Sequence, residues 1–199
     1  NSSLPLLPEV NTAPEGTKQY VFYGIGGDGT VGANQEAIAI IGENTDYYSQ
    51  AYFTYEAKKS NGYTISNLRF SKEPIQSEYQ IQFADYVAVH NPSYVKLMPV
   101  LKTVKEGGVF VLNSNCKNLQ EIEAFLPDNL KKTIAEKKIK FYNIDASGIA
   151  EKIGIKGRIN MIMQSVFFKL ADIMDIEKAK EALKQGVLKN YGLKGEKVV

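Results

Sequence analysis

One cysteine, Cys116, one histidine, His90, and no tryptophan occur among 199 residues. A lone cysteine excludes an internal disulfide, a thiolate zinc site and a cysteine-ligated iron–sulfur cluster within the chain. It also points to a reducing, cytoplasmic compartment. No apolar run approaches the ~20 residues that a membrane helix needs. The start, "NSSLPLLPEVNTAPEGT", has neither a basic n-region nor a small-residue cleavage site and does not read as a signal peptide. Nor is there a Lys/Arg-rich run or a clustered aromatic-and-basic module, which argues against a nucleic-acid surface.

What is present is the composition of a globular protein, 44% hydrophobic and 23% charged, on a length suited to one domain with a substantial core. The net charge of +2 conceals an asymmetry. Residues 130–199 carry 15 Lys and Arg against 8 Asp and Glu, whereas the first 129 carry 9 against 14. Solvated helical faces account for such a surplus, and an anionic cofactor or a neighbouring domain are the partners it leaves open. The first seventeen residues, rich in Pro, Ser and Thr, read as a linker, and both ends suggest a piece of a longer polypeptide.

Between the ends the pattern alternates. A strand over Tyr20–Ile25 leads to a helix over about Val31–Ile41, with Gly42 placed to stop it. Tyr52–Glu56 and Tyr63–Phe70 flank Asn61-Gly62, a hairpin signal. Strand Tyr86–Val89, a helix near Tyr94–Lys102, the turn Glu106-Gly107-Gly108 and strand Val109–Leu112 follow. Helical stretches flank Asp128 before strand Lys140–Ile144, and the tail is helical over about Asn160–Ala171 and Ile176–Asn190. The expected fold is α/β, a mostly parallel sheet covered on both faces, with one antiparallel hairpin element.

The segment "YVFYGIGGDGT" puts Gly24, Gly26 and Gly29 at GxGxxG spacing between a strand and a helix. A helix N-terminus exposes unpaired amides and the positive end of the macrodipole, so phosphate suits it. Tight strand–helix packing explains the same glycines equally well. For NAD, an acidic residue should end the second strand, where Glu56 stands, but Lys58-Lys59 follow at once. Two ammonium groups there favour an adenosine carrying an extra phosphate, as in NADP or coenzyme A; a solvated hairpin tip is the plain alternative. Asp28 can hydrogen-bond backbone amides of its own turn.

Catalytic groups do not assemble into a constellation. His90 falls at a strand's C-terminal end without an identifiable Ser, Cys or carboxylate partner and reads as structural. Cys116 has no reactive signature, and Ser93 and Ser114 lack a GxSxG elbow.

Three stretches together, "GIGGDGTVGAN", "YFTYEAKKSNGYTISNLRF" and "GRINMIMQSVFFKLA", closely resemble the γ-type domain of the pyruvate:ferredoxin (flavodoxin) oxidoreductase family. "VAVHNPSYV" and "AEKKIKFYNIDA" fit the same family, and the resemblance runs from about Pro14 to Val199. It implies a Rossmann-like three-layer sandwich over residues 18–199, preceded by a linker over 1–17, and coenzyme A binding in place of hydride transfer. The family cleaves pyruvate with thiamine diphosphate and Mg, passes electrons through 4Fe–4S clusters to ferredoxin or flavodoxin, and delivers the acetyl group to coenzyme A. Those other cofactors would belong to other domains of the same polypeptide, or to α and β subunits, in a homodimeric parent.

Carried over by position, the coenzyme A contacts fall on Gly27, Asp28, Gly29, Thr30, Val31, Lys59 and Asn160, with no catalytic residue and no metal ligand. Asn160 is also placed to N-cap a helix from Met161. Cys116 and its flanking Asn residues depart from the family's forms, away from these positions. Alone, the domain is expected to be inert. The alternatives are a free-standing NAD(P)-binding protein and a purely structural interdomain module.

Overall fold

The runs Tyr20-Val21-Phe22-Tyr23, Tyr86-Val87-Ala88-Val89 and Phe110-Val111-Leu112 are apolar on both strand faces, so each needs cover on two sides. A computed structural model of the chain describes residues 10–56 and 62–191. Its strands are β1 (Lys18–Ile25), β2 (Tyr48–Tyr55), β3 (Tyr63–Ser71), β4 (Ala84–Val89), β5 (Val104–Asn113) and β6 (Lys140–Ile144). Its helices are α1 (Thr30–Asn44), α2 (Tyr94–Leu97), α3 (Leu119–Phe125), α4 (Asp128–Glu136), α5 (Ala146–Lys152), α6 (Asn160–Leu170) and α7 (Ile176–Tyr191). The strands form one sheet in the order β2-β3-β1-β4-β5-β6. β3 pairs antiparallel with both β2 and β1, while β1, β4, β5 and β6 pair in parallel, so β3 alone runs against the rest.

Alternate side chains of the central strands enter two cores. Tyr20, Phe22, Tyr86, Ala88 and Val111 pack beneath α1, α5, α6 and α7. Val21, Tyr23, Val87, Val89, Phe110 and Leu112 pack beneath α2, α3 and α4. Each of the larger apolar side chains among these, fully buried, contributes about 1.5–3 kcal/mol. The result is the expected three-layer α/β sandwich.

The "NMIMQSVFF" run of α6 buries Met161, Met163, Gln164, Phe167 and Phe168, one face at helical spacing. Phe167 sits edge-on to Tyr20, Phe22 and Tyr86, with centroids 5.1, 5.2 and 5.4 Å away. Gln164 Nε2 donates to the Ala33 carbonyl of α1 at 3.1 Å, fixing the two helices against each other. The Tyr86 hydroxyl in this cluster is buried with no partner among the described residues. Burial pushes its pKa far up, so it stays protonated. Because an unpaired buried hydroxyl does not contribute the ~1 kcal/mol of a hydrogen bond, Tyr86→Phe is expected to leave unfolding stability unchanged or slightly raised. A loss above ~1 kcal/mol in urea unfolding would show that the hydroxyl is bonded after all.

Four local expectations differ from the structure. The first helix continues through Gly42 to Asn44, because Asn44 Nδ2 and Thr45 Oγ1 take the Ile40 and Ile41 carbonyls at 2.8 and 2.6 Å and close its end. α2 stops at Leu97, since Met98 precedes Pro99 and adopts extended angles (φ −138°, ψ 150°). Glu106-Gly107-Gly108 does not separate two elements; it bulges within β5, as the register steps from Ala84↔Val104 to Tyr86↔Val109. α5 adds a helix that the pattern did not suggest, started by the Asp145 carboxylate, which accepts from Gly148 N–H at 2.7 Å.

The Asn61-Gly62 hairpin is present as the antiparallel β2–β3 pair, in register from Tyr48↔Ser71 to Tyr55↔Thr64. Its tip, with Lys58 and Lys59, lies outside the described residues.

Candidate functional site

β1 and β4 lie side by side and parallel, yet α1 leaves β1 toward one face and α2 follows β4 on the other. Where connections diverge in this way, a crevice opens at the carboxyl ends of the strands, the usual ligand position in such sheets. By that rule the glycine turn after β1 and His90–Ser93 after β4 are the two walls of the crevice.

Asp28 braces the turn from inside. Its Oδ2 accepts the Ile25 amide at 2.9 Å and its Oδ1 the Thr30 amide at 2.8 Å, while its own amide donates to the Ile25 carbonyl at 3.0 Å. Gly29 is the N-cap of α1 in the left-handed region (φ 83°), and its carbonyl accepts the first helical bond, from Ala33 N–H at 3.0 Å. The first-turn amides of Val31 and Gly32 have no intrahelical acceptor and stay available for an anion. Gly26, Gly27, Gly29 and Gly32 are exposed, and Val31 is half-buried.

Gly24 serves packing. A Cβ there would lie 2.6–2.9 Å from the Thr30 side chain, so only glycine lets strand and helix approach so closely. Thr30 Oγ1 in turn forms a hydrogen bond with His90 Nδ1 at 2.8 Å, joining the two walls of the crevice. His90 is buried, and burial pulls its imidazole down to about 4, against the opposing pull of the Asp28 carboxylate; it is neutral at physiological pH. Ser114 and Cys116 have other partners among the described residues. Ser114 Oγ bonds Asn143 Oδ1 at 2.5 Å, and Cys116 packs against the second core.

Asn160 reaches the turn from far along the chain. It is not the N-cap of α6: Ile159 already has near-helical angles (φ −90°, ψ −10°), so Asn160 is the first helical residue. Its amide lies over Gly29, where a Cβ would stand 3.1 Å from both Asn160 Cγ and Nδ2. Gly29→Ala is therefore expected to lose about 1–2 kcal/mol for left-handed strain and to displace Asn160 as well. Gly27→Ala meets open space at φ 90° and should show the strain alone. Equal ligand binding by the two variants would contradict the Asn160 contact.

The hairpin opens beside the same turn. Gly26 N–H donates to the Gly62 carbonyl at 2.7 Å, and Glu56 N–H to the Tyr63 carbonyl at 3.0 Å. One wall of the crevice also holds Tyr94, which sequence reasoning passed over for want of any local signal. Its hydroxyl is buried without a partner among the described residues. Burial raises its pKa, and the carboxylates of Asp28 and Glu56 raise it further. Glu56 does not stand where a ribose-binding carboxylate stands in a dinucleotide fold, because antiparallel β3 separates β2 from β1.

A separate hollow of about 930 Å³ between α6 and α7 is lined by Met161, Leu183, Val187 and Leu188 with lysines at its rim. Its walls are apolar, unlike a phosphate site, and apart from Asn160's neighbour Met161 it shares nothing with the glycine turn. Among the described residues no group of His, Cys, Asp and Glu is placed to hold a metal ion, and no helix is long and apolar enough to cross a membrane.

Residues 19–199 match the family described as pyruvate ferredoxin/flavodoxin oxidoreductase. The chain is 50% identical over its whole length to pyruvate:ferredoxin oxidoreductase of Moorella thermoacetica, of which it spans 17%. Among solved structures it resembles the pyruvate oxidoreductase subunit PORC of Thermotoga maritima, with TM-score 0.64 at 18% identity, covering 87% of this chain and 85% of that one. It also resembles 2-oxoglutarate:ferredoxin oxidoreductase of Magnetococcus marinus, solved with 2-oxoglutarate, coenzyme A and succinyl-CoA bound, with TM-score 0.63 at 20% identity, over 92% of this chain and 28% of that one. At such identities the structural likenesses speak to the fold, which is the same helix–sheet–helix sandwich. With the family matched from the start of β1 to the last residue, the chain belongs to the pyruvate ferredoxin/flavodoxin oxidoreductases.

Proposed function

We propose that this chain is the coenzyme A-binding domain of a larger pyruvate:ferredoxin (flavodoxin) oxidoreductase. The observation that carries the reading is the convergence at one crevice of the Gly27–Val31 turn, Asn160 and the mouth of the Lys59 hairpin. The first-turn amides and Asn160 suit phosphate and amide groups of a long, polar, anionic cofactor. The coenzyme A bound in the Magnetococcus marinus relative supports the choice of ligand. The displaced position of Glu56 speaks against NAD.

In this reading the parent enzyme decarboxylates pyruvate oxidatively, gives acetyl-CoA and CO2, and reduces ferredoxin or flavodoxin. Thiamine diphosphate and Mg belong to its other domains or to partner subunits, and so do the 4Fe–4S clusters, whose thiolate ligands a single cysteine cannot supply. The domain itself, residues 18–199 after a linker over 1–17, holds and orients coenzyme A and does no chemistry alone. Its seat is a cytoplasmic, homodimeric parent.

Calorimetric titration of the chain with coenzyme A, NADP and NAD tests this directly. The expected result is binding of coenzyme A in preference to both dinucleotides. Preference for NADP or NAD would refute the reading, and no binding of any would favour a purely structural module.

A further inference from the structure

We propose that His90 is a positioning residue for the coenzyme A site, holding Thr30 so that the first turn of α1 keeps its ligand-receiving form. The inference rests on the coenzyme A reading and adds a residue outside the contacts already assigned. Three constraints meet at Thr30: Asp28 takes its amide, the Gly24 backbone confines its side chain, and His90 Nδ1 binds its hydroxyl at 2.8 Å. His90 is itself anchored. Its amide donates to the Tyr23 carbonyl of β1 at 2.9 Å, and its carbonyl accepts from Asn113 Nδ2 of β5 at 2.8 Å. The Asn113 side chain also takes the Ala146 amide at 3.0 Å, so the anchor extends to α5.

The polarity of His90 is not explained by stability. Its Nε2 is buried with no partner among the described residues, a condition that an apolar side chain of similar size would avoid. Edge-on contact with Phe22, centroids 6.4 Å apart, would suit a hydrocarbon equally. What the imidazole adds is the bond to Thr30. That bond ties the end of β4 to the start of α1 across the crevice, so the wall bearing the free amides cannot shift relative to the other wall. The groups facing His90 are Asp28, whose charge acts on the ring, and Thr30; being neutral, the imidazole holds this arrangement without adding a charge near the incoming phosphates.

The test uses the full-length enzyme that carries this chain and compares His90→Leu with His90→Asn, whose amide can occupy the place of Nδ1. His90→Leu should raise the half-saturating coenzyme A concentration about tenfold, a loss of one bond's worth of affinity. Half-saturation by pyruvate and the electron transfer seen before coenzyme A is added should not change. His90→Asn should recover most of the loss. Should His90→Leu fail to fold, Thr30→Val reads the same bond while keeping the side chain's shape, and the same rise is expected. Unchanged coenzyme A dependence in Thr30→Val, or in His90→Leu, overturns the proposal. So does an equal loss in His90→Asn and His90→Leu. Lys59→Ala measured alongside separates the two layers: if it weakens coenzyme A while the His90 variants do not, only the positioning role falls; if it too has no effect, the coenzyme A reading falls with it.

Discussion

Replacing Lys59 by alanine is expected to weaken coenzyme A binding roughly ten- to hundredfold, the loss of a charge-assisted contact worth ~1.5–3 kcal/mol. The electrostatics of the crevice favour a cation beside the bound phosphate. The N-terminus of α1 offers about half a positive charge, but the Asp28 carboxylate is already seated against it, accepting the Thr30 amide. Glu56 adds a second carboxylate close enough to act on Tyr94. An ammonium would offset those carboxylates for an approaching phosphate, and Lys59 stands three residues before Gly62, whose carbonyl is bonded to the glycine turn. Lys58→Ala is the control, since a specific contact made by Lys59 would leave coenzyme A affinity sensitive to one lysine and not to the other. A lysine in a hairpin turn is a surface substitution, so stability is expected to change by less than about 0.5 kcal/mol. In the full-length enzyme the effect should appear in half-saturation by coenzyme A and not in pyruvate decarboxylation. Equal behaviour of both lysine variants, or unfolding of Lys59→Ala, would exclude this role.

Arg69→Met should lower unfolding stability by about 2–4 kcal/mol, the largest structural effect anticipated for a single side chain here. Arg69 is 1% exposed in β3, and among the described residues none of its hydrogen-bond partners is a carboxylate. Its guanidinium donates to Gln19 Oε1 at 3.3 Å, Gln50 Oε1 at 3.0 Å, and the carbonyls of Ser77 and Tyr79 at 3.4 and 2.6 Å. The Tyr79 ring lies 4.9 Å from its Cζ. Burial pulls the guanidinium pKa down from its ordinary value without discharging it.

Methionine fills a similar volume but strands those acceptors, two of them backbone carbonyls of the segment between β3 and β4. Arg69→Lys should recover only part of the loss, because one ammonium cannot span a planar fork of acceptors. Both residues sit at the end of the sheet where Gln19 pairs with Arg69, away from the glycine turn, so coenzyme A affinity of the folded protein should be unaffected. A loss below ~1 kcal/mol in urea unfolding would mean that water replaces the guanidinium at little cost.

Much of the fold was legible because it rests on local signals. The apolar runs at Tyr20 and Tyr86, the Asn-Gly between two β-rich segments and the helical spacing of the "NMIMQSVFF" run each declare their element without knowledge of the rest. Misreadings arose where a neighbour decided the outcome. Pro99 shortened α2 through Met98, Thr45 and Asn44 carried α1 past Gly42, and Ile159 took up near-helical angles that moved Asn160 inside its helix. The site was legible as a turn but not as a crevice. Nothing in the string places His90 beside Thr30, since that contact depends on β4 lying next to β1. No local signal marks Arg69 as buried, and only the fold reveals four neutral acceptors around it. Family resemblance supplied Asn160 and singled out Lys59; local chemistry alone pointed to Asn160 as a cap and left the lysine pair open between an extra phosphate and a solvated tip.

The central claim is that coenzyme A binds at the glycine turn of this chain, and the most direct measurement is the backbone amide spectrum recorded as coenzyme A is added. The account predicts that the largest shift changes fall on the amides from Gly27 to Gly32 and on the Asn160 side-chain amide, with α3 and α4 undisturbed. Saturable binding that leaves those amides unmoved and perturbs another surface would contradict it.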